Sequence, residues 1–469
     1  MNVFASSPLT REEALNLQPL FEPKSLAIIG VSFTNDHHPA NIVYNKAHLR
    51  YPVNVFPVNP RGGSLMGENV FTDISEIPQK VDLAVIAVRA DLVADVLQDC
   101  IRNGVGGATI VSGGFAEVGR KDLQDRLAAM AREANFPFIG PNCLGIYVPS
   151  VVDTFFLPGE RMVHPVSGNV AFVSQSGGVL VDQMVKFAEQ GIGLSLAVSI
   201  GNKALITEQN LLDYLVADPA TGVITFYIEG FGKNEGRDFI LAAGRSPKPI
   251  IVLKAGKTDA GRRAVTSHTA SLAGDYEVFS AVLAQYGVVE AANEIELVSF
   301  CESLSCYSKA ITGNVGIVTG SGGHGALAVD YCSAQGLSVP NLSESNQKKI
   351  RDQLSASVQA IAALNNPIDL TGSAMDHDFV KAVKELSRIP QIDAIIVLLL
   401  PYIPGITSDL GARLSQISRR ENKPLVAYVP HVEKYRMLIE GFELNHTPVS
   451  SSIEGAVLMV EALRRCQPC

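Results

Sequence analysis

No basic run or basic domain interrupts this 469-residue sequence. Its 38 Lys and Arg stand against 47 Asp and Glu, and the net charge of −9 is spread along the chain rather than gathered in a tail. That argues against nucleic acid as the main partner, because phosphate-backbone binding needs clustered cations. No apolar stretch approaches the ~18 residues of a membrane span. The opening MNVFASSPLTREEALNLQPLFEP has neither a basic n-region nor an apolar h-region, so no secretory leader is expected. Cysteine is scarce: seven residues, an odd number, are scattered along the chain. This suits a reducing, cytoplasmic compartment better than a disulfide framework. Cys466 and Cys469 form a C-x-x-C at the very end, but a lone pair lacks two of the ligands of a structural zinc site. A chain terminus is therefore expected there rather than a metal or redox centre, and no metal site is predicted elsewhere.

What is present is a generous apolar fraction, 47% against 18% charged, over a length that suits two to three domains. One stretch occurs twice. GNVAFVSQSGG at residues 168–178 returns as GNVGIVTGSGG at 313–323, with seven of eleven positions identical. Each copy reads as a short buried strand followed by a turn of small residues.

The rest of the chain divides around this repeat. SLAIIGVS (25–32), VNVFPVNP (53–60), DLAVIAVRA (82–90), GATIVSGGF (107–115) and FPFIGPNCLG (136–145) are short β-branched runs. Helix-like intervals such as KDLQDRLAAMAREA (121–134) separate several of them. Strands alternating with helices predict a parallel, doubly wound sheet. The first repeat opens a second block with GLSLAVSIGN, GVITFYIEGF and PKPIIVLKAGK, and the second repeat opens a third with AIIVLLLPYIPG and KPLVAYVP. The expected architecture is α/β: a Rossmann-like domain over 1–150, then flavodoxin-like doubly wound domains over 151–310 and 311–469.

A glycine turn between a buried strand and a helix directs free backbone N–H groups and the positive end of the helix dipole at one point, which favours an anion. Ser176, Gly177 and Gly178 fit this, as do Ser321, Gly322 and Gly323. The same turns also serve close packing in any doubly wound fold. AVTSHTASLAG (264–274) sets His268 among hydroxyl-bearing and small residues, with Lys254, Lys257, Arg262 and Arg263 upstream. Those surroundings suit an imidazole that receives a phosphoryl group. Such a histidine needs an acidic partner to fix its tautomer, and Glu229, at the end of the strand in YIEGF, is the best-placed candidate. The opening strand carries Gly30 alone where a dinucleotide fingerprint wants G-x-G-x-x-G. A nucleotide-like ligand is therefore expected without the usual NAD mode, and coenzyme A stays open.

PKSLAIIG, FPVNP, SGGFAEVG, GPNCLG, VSQSGG, SIGNKA, YIEG, VLKAGK, TSHTASLAG and NPIDL follow one another in this order. Through these motifs, residues 20–460 resemble the alpha subunit of NDP-forming acyl-CoA synthetases, relatives of succinyl-CoA synthetase. The resemblance implies an acid–thiol ligase that interconverts acyl-CoA, phosphate and ADP with acid, coenzyme A and ATP through an acyl phosphate and a phosphohistidine. It implies His268 and Glu229 as catalytic residues, both Ser-Gly-Gly turns facing the phosphoryl group, and coenzyme A in the first domain at Gly30, Ser32, Asn59, Pro60, Arg61, Val88, Ser112, Gly113 and Asn142. It further implies ATP or ADP and Mg²⁺ on a separate ATP-grasp beta subunit, hence a hetero-oligomer. Ala40, Arg89, Leu205, Ala270, Gly320 and His324 depart from the family's pattern. A coenzyme A-binding regulatory or scaffold protein is the alternative, and so is the coenzyme A-binding portion of a protein acyltransferase. The intact His268 speaks for catalysis.

Overall fold

A computed structural model describes residues 15–268 and 275–466, with 266–268 described by backbone alone. The first sheet runs Asn54–Val58, Ser25–Ile29, Leu83–Ile86, Gly107–Ile110, Phe138–Ile139, all parallel. Ser25–Ile29, Leu83–Ile86 and Gly107–Ile110 are buried throughout, because helices such as Pro39–Arg50, Ala90–Arg102 and Lys121–Glu133 connect the strands. A sheet covered on both faces demands continuous apolar runs, the pattern in the sequence. Strand order reverses between Ser25–Ile29 and Leu83–Ile86, which makes a crevice at their carboxyl ends. Gly30 stands at that crevice with φ +101°, and a Cβ there would lie 2.5 Å from the Ala87 carbonyl oxygen. Only glycine fits such a close approach.

The second sheet has seven strands in the order Val289–Ala291, Ile250–Lys254, Val223–Ile228, Ser167–Ser174, Leu194–Ser199, Gly145–Val148, Val152–Asp153. The first five are parallel; Gly145–Val148 runs antiparallel to Leu194–Ser199, and Val152–Asp153 antiparallel to Gly145–Val148. Gly145–Val148, which the sequence reading leaves at the end of the first domain, is therefore a strand of the second sheet. The third sheet, Ile368–Asp369, Val315–Thr319, Ala394–Leu398, Leu425–Tyr428, Val449–Ser450, is parallel. Each repeat supplies the strand at which its own sheet reverses order.

One apolar cluster spans the first two units, joining Leu20, Val43 and Tyr44 to Leu196, Leu211 and Phe226. A buried ion pair crosses the same boundary: Lys46 Nζ lies 2.7 Å from Asp153 Oδ1, with the side chains 3% and 0% exposed. Helix Glu294–Cys306 packs on helix Ile453–Arg465, where Phe300 and Leu304 share a core with Leu458 and Leu463. The six described cysteines are free thiols. No described helix is long and apolar enough to cross a membrane.

Candidate active site

The two repeats build the same local device. Ser174 Oγ accepts from Ser176 N at 3.1 Å and donates to Ser176 O at 2.7 Å, which closes the chain tightly before helix Gly177–Glu189. Thr319 Oγ1 makes the equivalent bonds with Ser321 N and O at 3.1 and 3.2 Å before helix Gly322–Ala334. A hydroxyl at this position is needed in both copies, which accounts for the Ser/Thr exchange between them. Ser176 Oγ also accepts from Val179 N as the cap of its helix.

The turn at 176–178 opens on a cavity of about 910 Å³. Glu229, at the carboxyl end of strand Val223–Ile228, lines it together with Tyr227, Asn142 and Asp182. Burial, together with the Glu229 carboxylate beside it, raises the pKa of the Tyr227 hydroxyl. Ala264 and Val265 close one side; they belong to helix Asp259–His268, whose last residue is His268. The His268 side chain and residues 269–274, Ala270 among them, lie outside the described residues. Lys254 Nζ donates to the Glu229 carbonyl oxygen at 2.7 Å, and burial pulls its pKa down to about 8.

A second cavity, of about 460 Å³, sits at the reversal point of the first sheet and is lined by Gly30, Val88, Ser112 and Gly113, four of the residues that the family resemblance assigns to coenzyme A. Val111 and Phe156 line both cavities, so the two adjoin. His38, Pro39, Ala87 and Arg89 complete the second one; none was chosen from the sequence as a ligand contact. His38 caps helix Pro39–Arg50 through Nδ1, and burial lowers its pKa. The His-Pro pair before an apolar helix was the available signal.

Other candidate residues lie elsewhere. Ser32 and Asn59 do not line the second cavity; Ser32 N donates to Asn41 Oδ1 of helix Pro39–Arg50 at 2.6 Å, and Asn59 Nδ2 donates across to Val31 O, after the neighbouring strand, at 2.7 Å. Pro60 and Arg61 also stand outside it, whereas Asn142 lies in the larger cavity. Ser321, Gly322 and Gly323 line neither cavity. His324 Nδ1 lies 3.1 Å from Ser321 Oγ, and a Cβ on Gly320 would meet Ile403 Cδ1 at 2.7 Å. Leu205 is buried in the apolar cluster of the first unit, and Ala40 is fully buried at the start of its helix. Among the described residues, no group of three or more His, Cys, Asp or Glu is placed to hold a metal ion.

The first sheet is parallel and the second is parallel over five of its strands; their reversal points open on adjoining cavities, one beside a glycine turn, which is the arrangement of doubly wound, ligand-binding α/β proteins. Residues 24–149 match the family described as a CoA binding domain, and 167–304 the one described as a succinyl-CoA ligase like flavodoxin domain. The chain belongs to the ADP-forming acyl-CoA synthetase family. It is 34% identical to the alpha subunit of acetate–CoA ligase (ADP-forming) I from Pyrococcus furiosus, over 96% of this chain and 97% of that one. Acetate–CoA ligase (ADP-forming) I of Archaeoglobus fulgidus is 35% identical over 82% of this chain, which spans 55% of that relative's length. A structure of the dinucleotide-forming acetyl-coenzyme A synthetase 1 from Ca. Korarchaeum cryptofilum, in complex with phosphate and ADP, superposes with a TM-score of 0.86 at 30% identity, covering 96% of both chains.

Proposed function

We propose that this chain is the alpha subunit of an NDP-forming acyl-CoA synthetase. One observation carries the reading: a single cavity joins Glu229, the Ser176–Gly178 turn and the helix that ends on His268, and it adjoins the crevice of the first sheet. Coenzyme A lies in that crevice at Gly30, Val88, Ser112 and Gly113, with its thioester reaching past Val111 and Phe156. Phosphate, held at the 176–178 helix end, attacks the thioester carbonyl; the C–S bond breaks and the thiolate is released as coenzyme A. His268 takes the phosphoryl group from the acyl phosphate and frees the acid, while Glu229 holds the imidazole and its proton. ADP then receives the phosphoryl group on a separate ATP-grasp beta subunit, which also supplies Mg²⁺. The second turn, Ser321–Gly323, serves the phosphohistidine from the third domain.

The larger cavity also bears on the acid. Val111, Leu144, Phe156, Leu157, Val181 and Val185 form its apolar wall, and its described lining contains no Lys or Arg. A second carboxylate on the acyl chain would have to be desolvated against that apolar wall, which is unfavourable. The acid is accordingly a monocarboxylate.

The test uses this 469-residue chain without a partner, labelled phosphate, and acetyl-, isobutyryl-, phenylacetyl- and succinyl-CoA. Acid-labile, base-stable label on the peptide containing His268 is expected with the monocarboxylate thioesters, and loss of that label in His268→Asn with coenzyme A still bound. Label on another residue refutes the site.

A further inference from the structure

The glutamine that separates the strand from the first turn has no counterpart in the second copy, where Gly320 stands in its place and a Cβ would press on Ile403 Cδ1. Gln175 is 9% exposed, and its amide uses every bonding position it has. Oε1 accepts from Glu229 N at 2.6 Å and from Gly230 N at 3.0 Å. Nε2 donates to Gly230 O at 2.8 Å and to Glu208 Oε1 in a close contact. Two N–H donors on one side and two acceptors on the other allow only one orientation of the amide. Glu208 is itself buried and paired with Lys203, whose Nζ lies 3.1 Å from both of its carboxylate oxygens. Lys203 also donates to Gly230 O at 3.1 Å, and Lys254 closes the remaining position, Glu229 O. The two peptide groups at Glu229 and Gly230 are thus held by side chains from three other segments of the chain.

We infer that Gln175 is the positioning residue for Glu229, fixing it relative to the phosphate-binding turn that Gln175 immediately precedes. The inference rests on the function proposed above. Because residue 176 begins the turn and residue 175 grips the backbone of residue 229, the glutamate and the helix end move together or not at all. Beside the second copy, the neighbouring strand Ala394–Leu398 is followed by Leu399 and Leu400 and not by a glutamate. A misplacement near 1 Å costs on the order of 100-fold in rate, so loss of the grip should act on turnover and leave coenzyme A binding alone.

The experiment measures the rate of His268 labelling, from labelled phosphate and an acyl-CoA that labels the wild-type chain, in Gln175→Met, Glu229→Gln and the double variant. Coenzyme A affinity and unfolding are followed in parallel. Gln175→Met is expected to fold, to bind coenzyme A as the wild type does, and to label about 100-fold more slowly. The double variant should label no more slowly than Glu229→Gln alone, since a positioning residue has nothing left to position. A merely structural role would not produce that non-additivity. Additive losses, or a rate for Gln175→Met within about threefold of wild type, would overturn the inference. Should Gln175→Met not fold, Glu208→Gln, which alters one partner of Nε2, must show the same non-additivity with Glu229→Gln, and additive losses there would equally overturn it. An unlabelled wild-type chain refutes the proposed function, and a wild-type rate in Glu229→Gln refutes the role of Glu229 and this inference with it.

Discussion

Replacing Lys46 by methionine would remove one half of the buried pair that ties the first unit to the second. Lys46 Nζ lies 2.7 Å from Asp153 Oδ1, a separation worth about 6 kcal/mol of attraction at an effective dielectric of about 20. Desolvation opposes this gain, and burial holds the Lys46 pKa below its ordinary value although Asp153 pushes it back up. The cost of the substitution therefore comes mainly from the partner left behind, a carboxylate with no exposed surface. Such uncompensated charges cost about 3–5 kcal/mol. Asp153 keeps the Phe155 N–H at 2.9 Å and His164 Nε2 at 3.1 Å, so a loss near 3 kcal/mol is expected in chemical denaturation. Function should suffer as well, because Lys46 also donates to Phe155 O at 2.5 Å and Leu157 O at 3.4 Å. Those carbonyls flank Phe156, the wall shared by both cavities, and coenzyme A affinity should fall with stability. The double variant Lys46→Met/Asp153→Asn leaves no charge buried and should be more stable than Lys46→Met. A single variant within about 1 kcal/mol of wild type, or a double variant less stable than the single one, would refute the reasoning.

Three further outcomes follow from the same geometry. Burial raises the Glu302 pKa well above the usual carboxylate range, and its Oε2 has no hydrogen-bond partner among the described residues; the stability tied to its proton is fully present below the unfolded pKa and is lost as pH rises through the folded one. Glu302→Gln should thus stabilise the chain at pH 8, by about 1–3 kcal/mol, and match wild type near pH 4; equal denaturation curves at pH 8 would contradict this. Ser176→Asp keeps a good helix cap but sets a negative charge at the helix end, so His268 labelling should fall about tenfold or more while coenzyme A affinity holds; an unchanged labelling rate would exclude phosphate from that turn. Phe156→Trp narrows the junction between the cavities and should slow labelling from phenylacetyl-CoA more than from acetyl-CoA, a difference that a side chain remote from the acyl group would not produce.

The sequence by itself determined the parallel strands, the order of the blocks and the chemistry of the turns. Buried parallel strands need unbroken apolar runs, and a glycine turn before a helix is a local event, so SLAIIG and VSQSGG declare themselves wherever they fall. Gly30, Val88, Ser112 and Gly113 came from the family resemblance, which rests on motifs at strand ends, and all four line the second cavity. The assignment of Glu229 also came from its place at a strand end. Only the tertiary structure decided which distant segments meet. The antiparallel pair Gly145–Val148 and Val152–Asp153 is too short to stand out from its loop. Lys46 and Asp153 are 107 positions apart, and neither side chain shows in isolation that it will be buried. The four bonds of Gln175 join residues 33 to 55 positions away, so the motif VSQSGG reveals the amide but not its partners. Asn59 shows the same limit, since its amide is spent on Val31 O, 28 positions away. Hydrogen-bond partners are assigned by three-dimensional proximity, and proximity between distant segments is fixed by how sheets and helices pack, not by the local pattern along the chain.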